Sequence, residues 1–179
     1  VDVLVRRETA RDADAIGAVI TAAFGNADRS APPVDPGGPP GETTLVSWLR
    51  SDPGWIPGLS LVAVEGVTIV GHVVATRGDV EGMPALGLGP LSVAPHRQRS
   101  GIGAALMHGV LAAADALDES LVCLLGEPSY YGRFGFVPAG PTGVLAPDPS
   151  WGDYFQIRTL TSYNGETGRF RYAAPFDRL

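Results

Sequence analysis

The segment LGLGPLSVAPHRQRSGIGAALMHGVLAAADAL, Leu86 to Leu117, decides the reading of this chain. Leu86, Leu88, Leu91 and Val93 alternate as a strand, Pro90 interrupts the run and Pro95 ends it. A proline inside a strand cannot donate to the ladder, so Pro90 predicts a bulge or an edge. Ile102, Leu106, Val110 and Leu117, with Ala105, Ala112 and Ala113 between them, predict a long helix with one apolar face. The joint is Gln98-Arg99-Ser100-Gly101-Ile102-Gly103. The first N–H groups of a helix lack intrahelical partners and sit at the positive end of its dipole, so such a joint suits an anion. Gly101 and Gly103 remove side chains that would keep a phosphate from the backbone, and Arg97 and Arg99 add charge.

Two phosphate loops are excluded. The P-loop needs a lysine after its last glycine, and this chain has no lysine. The dinucleotide fingerprint needs a third glycine in register after the first strand of a βαβ unit, and that glycine is missing.

Gln98-x-x-Gly101-x-Gly103 resembles the Q/R-x-x-G-x-G/A signature of the GNAT superfamily of acyl-CoA-dependent N-acetyltransferases. Upstream, Leu91-Ser92-Val93-Ala94-Pro95 is similar to that family's L-x-V-x-P strand end. Downstream, Tyr131-Gly132-Arg133-Phe134-Gly135-Phe136 matches its Y-x-x-x-G-F ending. The longer string from Gly126 to Phe136, GEPSYYGRFGF, resembles one branch of these acetyltransferases. Ser100 stands where the family commonly has glycine or another small residue.

The resemblance implies an α+β fold, a mixed and mainly antiparallel sheet flanked by helices, here with a β-rich C-terminal tail. It implies that acetyl-CoA is the co-substrate, with its pyrophosphate held by Gln98, Arg99, Ser100, Gly101, Ile102, Gly103 and Ala104. The backbone of Leu91, Ser92 and Val93 would serve the acetyl carbonyl and the pantetheine arm, and Tyr131 would protonate the departing thiolate. An unperturbed phenol keeps its proton at neutral pH, so Tyr131 is able to donate. The implied reaction is direct acetyl transfer to a primary amine in a ternary complex. The alternative is a CoA-binding sensor or interaction module that has lost transfer. For a general base, Asp79, Glu81, Glu127 and His72 are the candidates, each with an equally good reading as surface charge or core histidine.

The rest of the chain fits one domain over residues 1–179, long enough to bury its own core. With 45% hydrophobic and 18% charged residues, it is not a disordered chain. The net charge of −6 argues against nucleic acid as a partner. Cys123 is alone, so it forms no internal disulfide, and its apolar neighbours predict a buried thiol. No pair of histidines has metal-ligand spacing, so no metal is expected. No membrane-spanning run or signal-peptide core is evident, and the cytoplasm is the expected location. A homodimer is compatible with all of this.

In order, Val3 to Arg7 predicts a strand, and Thr9 with Asp12 predicts a capping box for a helix over 11–24. Residues 26–42 hold five prolines and three glycines and predict a mobile loop. A short helix with Leu45, Trp48 and Leu49 on one face follows. Leu59 to Val64 and Val67 to Arg77 predict a hairpin around Glu65-Gly66, and Leu121 to Leu125 a strand buried on both faces. Pro128 to Gly132 predicts a helical turn; Tyr154 to Leu160 and Arg169 to Tyr172 predict two further strands. The loop and the Gly/Pro-rich segment 139–151 are expected to flank the acceptor end of the site.

Overall fold

The computed structural model describes residues 2–179. Strand β1 (Val3–Arg7) leads through a 3-10 turn into α1 (Ala13–Phe24) and α2 (Gly41–Arg50). Three antiparallel strands follow, β2 (Ser60–Glu65), β3 (Thr68–Val80) and β4 (Met83–Val93). Then come α3 (Ile102–Ala116), β5 (Leu121–Leu125) and the short α4 (Pro128–Tyr131). The tail adds β6 (Val137–Pro138), β7 (Val144–Leu145), β8 (Phe155–Thr159) and β9 (Gly168–Arg171).

Among the described residues the sheet runs β1-β2-β3-β4-β5-β8-β6, with β9 joined to β3 and β7 to β9. Among the described residues only β4–β5 and β7–β9 pair in parallel, so the expected α+β, mainly antiparallel architecture holds. Helix α3 packs on one face through Ile102, Leu106, Met107 and Val110, all buried. Glycine lets it come close: a Cβ at Gly71 would lie 2.9 Å from Leu106 Cδ1, and one at Gly109 would lie 3.2 Å from Val5 Cγ1. Leu117, expected in that stripe, is instead exposed beyond the helix end. The opposite face takes α1 through Ile16, Val19 and Ile20, and α2 through Val46, against Val62 and Val74.

Several expected boundaries shift. Asp12 accepts the Thr9 N–H at 2.7 Å, as a capping box requires, but the α-helix proper begins only at Ala13. Strand β3 runs past Arg77 to Val80 and turns at Glu81-Gly82 into β4, which therefore starts at Met83 rather than Leu86. The proline-rich loop ends at Pro40 and folds back on α2. Glu42 Oε1 accepts the Ala31 N–H at 2.7 Å, and Gly41 N donates to Ala31 O at 3.0 Å. Trp48 is half-buried under Arg178, whose guanidinium carbon stands 3.7 Å from its ring centroid, while Val46 takes a core position not expected for it.

The feature that shapes the site is a defect in β4. Val73 pairs with Leu91 and Ala75 with Leu88, so β4 holds one residue more than β3 across this step. The bulge falls at Gly89-Pro90, where the proline predicted it. Beyond it β4 leaves β5: their ladder consists of Leu86–Val122 and Gly87–Cys123, yet β4 continues to Val93 and β5 to Leu125. A wedge-shaped gap opens in mid-sheet.

Candidate active site

Strand alternation fixes what the gap is lined with. Ala94 N donates to Val70 O at 2.8 Å, so the backbone at Ala94 faces β3. Alternate residues face opposite ways, which turns the N–H and C=O of Leu91 and Val93 toward the gap and those of Ser92 toward β3. Ser92 pairs with His72 across that ladder, and its side chain is buried with no hydrogen-bond partner. Of the three expected strand residues, Leu91 and Val93 thus offer main chain to a ligand in the gap.

Beyond the end of β4 stands the glycine loop. Gln98 ties it to the strand by donating Nε2–H to Val93 O at 3.2 Å, and Ser100 Oγ donates to Arg97 O. Arg99 (φ 59°) and Gly101 (φ 87°) are both left-handed, and Gly101 is the N-cap of α3. Ile102 is buried beneath the loop, an anchor for the helix start. A hollow over the helix N-terminus is lined by Gln98, Arg99, Gly101, Gly103 and Ala104, together with Tyr130 and Arg133. Arg97 is not part of it: its guanidinium is 2.8 Å from Glu65 Oε1, turned toward the β2–β3 hairpin. Arg133 takes the place expected for Arg97, with its guanidinium carbon 4.8 Å from the Tyr130 ring centroid. The sequence signal for Arg133 was its position two residues after Tyr131, on the same short turn.

Tyr131 stands where the gap widens. It lines a cleft of about 1090 Å³ together with Leu88, Leu91, Leu124 and Leu125. Its ring packs against Gly126, where a Cβ would meet it at 2.4 Å, and edge-on to Tyr130 at 4.9 Å. Burial, and then the neighbouring Tyr130, push its phenol up to about 12. Tyr131 therefore holds its proton throughout the neutral range and has no role as a base.

The four candidate bases separate. Asp79 lines the cleft, but its carboxylate accepts the Gly82 N–H at 2.8 Å and faces Arg171 at 3.1 Å; those contacts lower its pKa. Glu81 sits in the β3–β4 turn and accepts the Arg169 N–H at 3.0 Å. Glu127 precedes α4 and is exposed. His72 is fully buried, its Nε2 2.9 Å from Ser60 Oγ and 3.3 Å from Glu8 Oε2. Ser60 donates to Glu8 Oε2 at 2.5 Å, so the imidazole donates Nε2–H to Ser60 and leaves Nδ1 unpartnered. Burial lowers the His72 pKa against the pull of Glu8, and this histidine is part of the core network rather than of the cleft. Cys123 is buried as expected, and burial pushes its thiol far up.

The acetyltransferase (GNAT) domain family matches residues 57–138, from the start of β2 through β6. The uncharacterized N-acetyltransferase YjhQ of Escherichia coli K12 is 33% identical over 143 residues, 75% of this chain and 79% of the relative. The chain belongs to the GNAT family of N-acetyltransferases. A second relative, the uncharacterized N-acetyltransferase YhbS of the same strain, is 30% identical over 77% of this chain and 84% of its own length. Among solved structures, Escherichia coli YhbS in complex with CoA superposes with a TM-score of 0.84 at 28% identity, covering 99% of this chain and 93% of that one. A GNAT acetyltransferase from Brucella melitensis in complex with acetyl-CoA gives 0.79 at 31% identity, covering 98% and 99%. No helix among the described residues is long and apolar enough to cross a membrane.

Proposed function

We propose that this GNAT protein binds acetyl-CoA in the gap between β4 and β5 and transfers the acetyl group directly to a primary amine. The carrying observation is the bulge at Gly89-Pro90, which frees the Leu91 and Val93 backbone toward a cleft that also holds Tyr131. Two structural relatives, from Escherichia coli and Brucella melitensis, bind CoA and acetyl-CoA respectively, which supports the same ligand here.

In this reading the pyrophosphate sits over the α3 N-terminus, contacted by the amides from Gly101 to Ala104 and by Arg99 and Arg133. The pantetheine arm lies along Leu91 to Val93 as a substitute strand. The acceptor ammonium first gives a proton to water in the open cleft; the neutral amine nitrogen then attacks the thioester carbonyl, and the oxyanion that forms is met by backbone N–H at the bulge. Collapse breaks the C–S bond and expels the thiolate, which takes the phenolic proton of Tyr131. The ammonium of the adduct loses its proton to water in the open cleft, water returns a proton to the Tyr131 phenolate, and the reaction needs no dedicated carboxylate base. The rival, a CoA-binding module without transfer, has no support in the comparisons.

Closure of the 26–42 loop over an acceptor, a cytoplasmic location and a homodimer belong to the same proposal. Strand β1 is an open sheet edge on which Leu4 is 62% exposed, a surface that a second copy would cover. Calorimetry with acetyl-CoA, followed by thiol release on adding amines, tests the central claim; absence of acetyl-CoA binding would end it.

A further inference from the structure

The cleft carries a pattern that acetyl transfer itself does not require. Three half-buried rings from the tail, Trp151, Tyr172 and Phe176, make one wall. Their centroids are 6.4 Å apart for Trp151–Tyr172 and 4.5 Å apart for Tyr172–Phe176. The sheet holds this wall in place. Arg171 pairs with Asp79 in the β9–β3 ladder, and the Tyr172 ring rests on Gly87, where a Cβ would stand 2.5 Å from it. Phe24 of α1 and Leu45 of α2 line the same cleft.

Carboxylates accompany the rings. Asp148 is three residues before Trp151, Asp177 follows Phe176, and both line the cleft. Of the two cleft arginines, Arg171 is held by Asp79 and Arg29 stacks on Tyr154, with its guanidinium carbon 5.2 Å from the ring centroid. Aromatic faces beside carboxylates attract an organic ammonium. Carbon walls of this kind also reward burial of an apolar skeleton.

Resting on the acetyl-transfer reading, we infer that the acceptor is an arylalkyl amine. Its ring stacks on the Trp151–Tyr172–Phe176 wall, its charge is drawn in by Asp148 and Asp177, and its amine reaches the thioester beside Tyr131. The tail, outside the segment that the family match covers, is thereby the specificity element.

The test measures thiol release at saturating acetyl-CoA with phenethylamine, spermidine, glucosamine and an alanyl peptide. Phenethylamine should exceed the others in kcat/KM by about tenfold or more, the scale on which an apolar pocket discriminates. Trp151→Ala and Phe176→Ala should each raise its KM by about tenfold, while Trp151→Phe keeps most of the affinity and acetyl-CoA affinity stays unchanged. Equal or better use of spermidine, glucosamine or the peptide overturns the assignment, as does an unaltered KM in both alanine variants. Acetyl-CoA bound without phenethylamine turnover refutes the acceptor class alone; no acetyl-CoA binding refutes the underlying reading.

Discussion

The hydroxyl of Tyr130 lies over the first turn of α3 at Gly103, where a Cβ would stand 2.6 Å from it. The ring is held there edge-on by Phe134 at 5.5 Å and covered by Arg133. The glycine is thus required by two neighbours at once, the tyrosine and the anion expected over the helix N-terminus. Gly103→Ala should weaken CoA binding about tenfold, or 1.4 kcal/mol, by pushing Tyr130 into the hollow. Tyr130→Phe added to it should restore much of the loss, since only the hydroxyl collides. Calorimetry on the two variants and the double variant reads the coupling; strictly additive losses would show that Tyr130 and Gly103 act independently.

Tyr131→Phe keeps the ring on Gly126 and removes the proton. Turnover should fall by about 100-fold or more with acetyl-CoA affinity unchanged, as for loss of a general acid. Because burial and Tyr130 raise the phenol to about 12, its ionisation should produce no descending limb in kcat between neutral pH and about pH 10. A wild-type kcat in the phenylalanine variant would move Tyr131 from the chemistry to the core.

Arg133→Ala should raise the Kd for CoA by about tenfold or more, the scale of a lost charge-assisted hydrogen bond, and leave phosphate-free pantetheine unaffected. Arg97→Ala should leave both affinities near wild type, since Arg97 is paired with Glu65. The opposite ranking would return the phosphate contact to Arg97.

The Glu8–Ser60–His72–Arg50 cluster ties stability to pH. Burial alone would raise Glu8, but the adjacent His72 ring and hydrogen bonds from Arg50 and Ser60 hold it at about 2, below its ordinary 4.5. A depressed carboxylate stabilises fully above the unfolded value and loses that contribution as pH falls toward 2. His72 is also depressed, from 6.5, so the unfolded chain takes its proton first as pH drops below that value. Both effects have the same sign, and Tm should fall steadily on acidification from pH 7. His72→Gln should flatten the part of that fall that begins below about pH 6.5, and Glu8→Gln the part that begins below about pH 4.5. Thermal melts across this range decide; an unchanged slope in both variants would show that the cluster is not the source.

What the sequence made legible is what lies close together along it. Pro90 announced the bulge, Gly101 and Gly103 the helix start, and Tyr131 its place before Gly135-Phe136, because each is a local demand on the backbone. Arg97 misled for a physical reason: it is adjacent to the loop in sequence, but the turn at Pro95 to Arg97 aims it at a hairpin thirty residues upstream. Nothing local in β9 says that Arg171 will meet Asp79, 92 residues earlier, and without that pairing the aromatic wall of the cleft has no address. The buried cluster around His72 was equally hidden, since Glu8 and Ser60 are assembled with it only when β1, β2 and β3 align.

The split between β4 and β5 has a consequence for the empty protein. Past Gly87 and Cys123 each strand presents an edge inside the molecule, with main-chain groups waiting for a partner. Sheet edges recruit whatever extended backbone is at hand. On the proposed reading a bound thioester arm would close that seam, so ligand occupancy and thermal stability would be linked by mass action, by about 2.7 kcal/mol at a hundredfold excess over Kd.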